Sequence, residues 1–166
     1  MVTRLSLPLF IPWEDGVEIA VWFGSTELCQ WLGLTARQLQ WWDEQGLLPA
    51  RHEGHKRLYS RRDAVLAGVI GTLRKAGLGQ ARVQAALQTL TARGRRLELP
   101  RYLVVDWRSG RSGGVPNERQ ALERMARRSE NGVPTLLIDL EQIESKLSTA
   151  HRSYRAKESP PPAGCR

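Results

Sequence analysis

Residues 34–49 read LTARQLQWWDEQGLLP, a stretch that carries its own start and stop signals for a helix. Thr35 is a good N-cap, and Gln38 three residues later completes a capping box. Leu34 before the cap and Leu39 at the fourth helical position form a hydrophobic staple. Gly46 supplies the left-handed residue that ends a helix, and Pro49 blocks any continuation. Leu39 and Trp42 share one face and point inward. Arg37, Gln38 and Trp41 then share the outer face.

Working outward, STELCQWLG (25–33) is a second, shorter helix. Ser25 or Thr26 caps it, Leu28 and Leu32 lie one turn apart on its inner face, and Gly33 ends it. Only Gly33 and Leu34 separate the two helices, which is helix-turn-helix spacing. The next segment, ARHEGHKRLYS (50–60), is polar and basic, with Glu53-Gly54 suited to a hairpin tip and Leu58 as its apolar anchor. A basic hairpin directly after a helix-turn-helix is a wing. Upstream, VEIAVWF (17–23) alternates as a half-buried strand does. Downstream, residues 60–77 open with a Ser60/Asp63 capping box. Val65, Leu66, Val69, Ile70 and Leu73 follow at helical spacing, and residues 78–94 repeat the pattern with Val83, Leu87 and Leu90.

After Gly94 the pattern changes. RYLVVDW (101–107) and VPTLLIDL (133–140) read as buried strands, and RSGRSGGVP (108–116) as a turn. Residues 117–132 form a helix capped by Asn117, and residues 139–154 one capped by Asp139. Strand, helix, strand and helix imply a parallel pair joined by a right-handed crossover. Two strands make too small a sheet, so a third comes either from 17–23 or from a second copy across a two-fold axis. The expected fold is α+β: a winged helix-turn-helix domain followed by a small βαβα module. Its parts are an N-terminal arm with a strand (1–24), the winged domain (25–95), the module (100–150) and a disordered basic tail (151–166).

Composition limits the function. At 166 residues, 41% hydrophobic and 25% charged, the chain is long enough to bury a core. No apolar run is long enough to span a membrane, and Pro8 and Pro12 make the N-terminus an arm rather than a signal peptide. Cys29 and Cys165 form no CxxC, which argues against zinc or a disulfide framework and favours a cytoplasmic protein. The net charge is +8, and residues 25–99 hold 12 basic against 6 acidic groups. That is the electrostatic footprint of a nucleic-acid partner.

The chemistry agrees. Arg and Gln suit base edges and phosphates in a major groove. Trp41 beside them faces DNA, whereas Trp42 fills the core. In the wing, Lys56 and Arg57 beside Tyr59 set two cations and a hydroxyl where a phosphate backbone passes. The candidate DNA contacts are Thr35, Arg37, Gln38, Gln40 and Trp41 on the helix, and His55, Lys56, Arg57, Tyr59 and Arg61 on and beside the wing. His52 and His55 lack the companions of a metal site. Asp106, Asp139, Glu141 and Glu144 are the acids of the second module. No nucleophile–base pair accompanies them, and SGRSGG lacks the Lys-Ser/Thr of a phosphate loop. The expectation is a protein without catalytic residues, metal or cofactor.

The stretches LGLTARQLQWWDEQGLLPA and HKRLYSRRDAVLAGVIGTLRKAGLG resemble the MerR family of bacterial transcription regulators over about Phe23 to Leu90. Members carry two aromatics, an acid and then GLL, often with Pro, followed by a wing ending RxYS, an Asp three residues on, and a helix leading to GL. Trp41-Trp42-Asp43, Gly46-Leu47-Leu48-Pro49, Arg57-Leu58-Tyr59-Ser60, Asp63 and Gly77-Leu78 occupy those places. Gln40 and two Trp stand where the family usually has Arg and a pair containing Tyr. The resemblance implies a nucleoid-associated regulator of duplex DNA that works with RNA polymerase. It also implies a homodimer joined by a long antiparallel helix. No such helix is legible after Gly94, so the 100–150 module is the expected dimer interface. Alternatives are an excisionase-like, partition or other architectural DNA-binding factor, or an interaction module with a vestigial DNA face.

Overall fold

The computed structural model describes residues 22–91 and 99–158, with side chains to residue 151. The chain begins with strand β1 (Trp22–Gly24) and helices α1 (Ser25–Leu32) and α2 (Ala36–Glu44). Gly24, not Ser25 or Thr26, is the N-cap of α1. Its N–H donates to Glu27 Oε2 at 2.7 Å, so the side chain that closes this cap comes from inside the first turn. Gly33 ends α1 at φ 63°. The α2 cap matches its sequence signals: Gln38 N–H donates to Thr35 Oγ1 at 3.2 Å, and Thr35 N–H to Gln38 Oε1 at 2.8 Å. Past Glu44, Gly46 takes φ 65°, and the N–H groups of Leu47 and Leu48 both donate to the Trp42 carbonyl.

The wing is β2 (Arg51–Glu53) and β3 (Lys56–Ser60), turned at Gly54. The sheet order is β1-β3-β2, all antiparallel, with Phe23 opposite Tyr59. Of the strand expected at 17–23, Trp22 and Phe23 pair with the wing. Residues 17–21 lie outside the described residues. Ser60 caps α3 (Arg61–Lys75), and α4 (Gln80–Thr91) follows. α3 is the central helix: besides the expected stripe it buries Ala64, Ala67, Gly68 and Gly71, because other elements cover several of its sides.

The second half differs from the expected βαβα. Strand β4 (Tyr102–Asp106) turns into β5 (Ser112–Val115), then come α5 (Glu118–Glu130), β6 (Thr135–Asp139) and α6 (Leu140–Glu158). The sheet order is β5-β4-β6, and β4 is antiparallel to both neighbours. The predicted parallel pair is thus an antiparallel one. Residues 112–115, read as turn because of Gly113 and Gly114, reverse the chain and supply the third strand. The glycines fit a strand for packing reasons: the Arg124 guanidinium lies over Gly113, and a Cβ on Gly114 meets Pro100.

The sheet is buried on both faces. Leu103, Val105 and Ile138 join one apolar core with Leu28, Trp42, Ile70 and Leu87 of the winged half. Tyr102, Val104 and Val115 face α5 and pack on Ala121. α6 returns across α3, with Ile143 against Gly68, so closely that a Cβ there would lie 2.5 Å from Ile143 Cγ2. α6 is helical to Glu158, beyond the expected start of a disordered tail at 151. Its last turns contain Arg, Ala, Lys and Glu, all good helix formers, and Pro160 is the first proline after them. His151 sits edge-on to Phe23 and Trp31 at centroid distances of 5.4 and 6.1 Å.

Candidate nucleic-acid interface

On α2, Leu39 and Trp42 are sealed at 0% and 2% exposure. The opposite face is open: Thr35, Arg37, Gln38, Gln40 and Trp41 are all exposed. The two adjacent tryptophans thus divide as their positions require, with Trp42 in the core and Trp41 at 36% exposure. Arg37 has no hydrogen bond or ion pair among the described residues. Gln38 is held by the cap, and Gln40 Nε2 donates to Glu44 Oε1 at 2.8 Å.

The wing presents His55 and Lys56 to solvent at and beside its tip. Arg57 is half-buried and committed elsewhere: its Nε donates to Asp43 Oδ2 at 3.1 Å. His52 Nε2 lies 3.0 Å from the same oxygen, and Ala50 N–H donates to Asp43 Oδ1 at 3.0 Å. Asp43 therefore joins the last turn of α2, the connecting segment and both wing strands. Burial pushes its carboxyl up, but the Ala50 N–H and the Arg57 and His52 side chains outweigh burial and hold it below its ordinary value. A signal for this hub exists in the sequence: an acid in the last turn of a helix opposes the helix dipole and needs cations nearby. Asp43 and His52 were not among the candidate contacts. They are the residues that fix the wing against the helix.

Two candidates lie elsewhere. Tyr59, expected beside a phosphate, is fully buried, because the register of β3 against β1 sets it opposite Phe23 on the inner face. Arg61 turns away from the wing, donating from Nε to Glu144 Oε1 at 3.1 Å and from Nη2 to Ser148 at 3.2 Å, both on α6. The open basic surface is completed by Arg51, which pairs with Glu53 at 3.0 Å and lies 5.0 Å over the Trp22 ring.

The described residues contain no group of three or more His, Cys, Asp or Glu placed to hold a metal, and no helix long and apolar enough to cross a membrane. The arrangement offers a helix face rich in hydrogen-bond donors beside a cationic hairpin, with the other side of the helix packed into the core. Residues 23–90, about two-fifths of the chain, match the family described as MerR HTH family regulatory protein. No curated protein matched the chain.

Proposed function

We propose that this chain, which carries a MerR-family helix-turn-helix domain over residues 23–90, is a transcription regulator that binds duplex DNA sequence-specifically. α2 enters the major groove and the β2–β3 wing follows the backbone. The observation that carries this reading is the open Arg37, Gln38 and Trp41 face on a helix whose other side is locked into the core by Leu39 and Trp42. Arg37 and Gln38 present donors suited to base edges, and Trp41 gives an apolar plane against sugar and phosphate. Lys56 and His55 supply wing contacts that position the protein without specifying sequence. Gln40, held by Glu44, adds a neutral amide at the groove edge.

Half-sites in DNA are read by symmetric dimers, and a homodimer through the 102–139 sheet fits this chain. Leu137, on the edge strand β6, and Leu122, on α5, are exposed at 37% and 54%. An edge strand carrying an exposed leucine is a template for a second copy. Such a dimer would act in the cytoplasm, on the nucleoid, at promoters where RNA polymerase also binds.

The test is selection of bound fragments from sheared genomic DNA by the full chain, followed by footprinting and light scattering. The reading requires one enriched motif with two-fold symmetry, protected between promoter elements, and a mass of two chains. Enrichment at recombination or partition loci would assign an architectural role instead. A single-chain mass on DNA would remove the dimer.

A further inference from the structure

The surface of α5 carries a feature that DNA binding by the winged half does not use. Between α5 and β5 lies a cleft of about 530 Å³, lined by Val115, Gln120, Glu123, Arg124, Arg127 and Arg128. That volume is in the range of small-molecule sites. Three arginines against one acid is an unusual lining, and the acid is already engaged: Arg119 Nε donates to Glu123 Oε1 at 3.0 Å.

None of the three arginines is ion-paired among the described residues. The Arg124 guanidinium is seated over Gly113, where any side chain would displace it. Arg128 Nη1 is buried and has no hydrogen-bond partner. Asp106 lies within electrostatic reach of Arg128, but its Oδ1 accepts from the N–H groups of Arg108 and Ser109 at 2.8 and 3.1 Å. Arg127 and Arg128 stand in the last turn of α5, where cations complement the helix dipole. That explains their charge. It does not explain the seat of Arg124 or a buried, unused guanidinium nitrogen, which costs free energy until an acceptor reaches it.

Location decides the class of ligand. The β5-β4-β6 sheet gives one face to the core it shares with the winged half and the other to α5. The cleft is therefore on the far side of the sheet from α2 and the wing, away from a duplex lying on them. Guanidinium forks match the oxyanions of phosphate, and a cluster of three within one cleft selects a multiply charged group. We propose that the α5–β5 cleft binds a phosphate-bearing small molecule, its oxyanions held by Arg124, Arg127 and Arg128 with Gln120 beside them. This site does not rest on α2 or the wing, although it shares α5 with the proposed dimer face.

The experiment is isothermal titration of the full chain with inorganic pyrophosphate at constant ionic strength, with melting followed in parallel. Saturable binding is expected, weakened at least tenfold by Arg124→Gln and by Arg127→Gln, and unchanged in Arg37→Ala and Lys56→Ala. Arg127 is exposed, so its variant should keep the fold; unchanged circular dichroism checks this. No saturable binding at millimolar pyrophosphate overturns the proposal. So does binding that survives both α5 variants but fails in Lys56→Ala, which would put the anion on the wing. A loss of duplex or acidic-peptide binding in the α5 variants, without pyrophosphate binding to the parent, assigns the face to a macromolecule and equally overturns it.

Discussion

Asp43 Oδ2 and Arg57 Nε are 3.1 Å apart, and this contact ties the last turn of α2 to the wing. His52 and the Ala50 N–H share the same carboxylate. Replacing it by an amide keeps the shape but weakens the charge-assisted bonds. Asp43→Asn should cost about 1 kcal/mol of stability and, by loosening the wing from α2, lower the affinity of the proposed DNA interface, although the Asp43 side chain is itself largely enclosed. The folded carboxyl titrates below its ordinary 3.8, so its contribution is complete above about pH 4 and is lost as pH falls through the lowered value. Equal DNA affinity for parent and variant at pH 7 would show that the wing needs no tether.

The adjacent tryptophans should behave as opposites. Trp42→Ala empties a fully enclosed site and should cost about 3–5 kcal/mol, enough to unfold many domains of this size. Trp41→Ala removes a ring at 36% exposure and should cost clearly less stability than Trp42→Ala while weakening DNA binding. Thermal melts beside gel-shift titrations separate the two. A large loss of stability in Trp41→Ala would make that ring structural.

Glu144 couples α6 to α3 through Arg61. Burial pushes its carboxyl up to about 7, against the pull of Arg61 and with Glu141 adding to the rise. A carboxyl whose folded value exceeds its ordinary 4.5 favours folding while protonated. That contribution is complete below pH 4.5 and fades as pH rises through 7. Glu144→Gln should therefore gain stability relative to the parent between pH 5 and pH 8, read from melting temperatures at the two values. A constant difference between the two proteins across that range would contradict the assignment.

Gly110 has φ +75°, and a Cβ there would run into the backbone of Arg82 in α4. Gly110→Ala combines a left-handed alanine with a clash that no side chain can relieve. It should cost at least about 2 kcal/mol and loosen the β4–β5 turn from the winged half. Denaturant unfolding measures this. A parent-like midpoint would mean that the turn moves freely.

The winged half was legible because its signals are local. Caps, staple and stop residues of α2 act within a few positions of one another, and the buried stripe of α3 follows from spacing alone. What escaped depends on distant partners. β5 contains two glycines that read as a turn, and what marks them as strand residues is non-local: the Pro100 ring occupies the place of a Gly114 Cβ, and the Arg124 guanidinium lies over Gly113. Missing it turned an antiparallel sheet into a parallel pair. Tyr59 was misplaced because the register of β3 against β1 decides which face it takes, and the hairpin alone leaves that open. Arg61 looked like a wing cation because its partner on α6 lies 83 residues away. The exposed face of α2 was legible by elimination, whereas the Asp43 hub depends on the wing folding back.

The central claim is that α2 reads sequence while the wing holds the backbone. It is tested most directly by salt-dependent affinities of the parent, Arg37→Ala and Lys56→Ala for a selected site and a scrambled duplex. Arg37→Ala should lose about 1–3 kcal/mol on the selected site and little on the scrambled one. Lys56→Ala should weaken both alike and reduce the salt slope by about one. Parent-like affinity and slope in both variants would contradict the account and place any DNA contact on another surface.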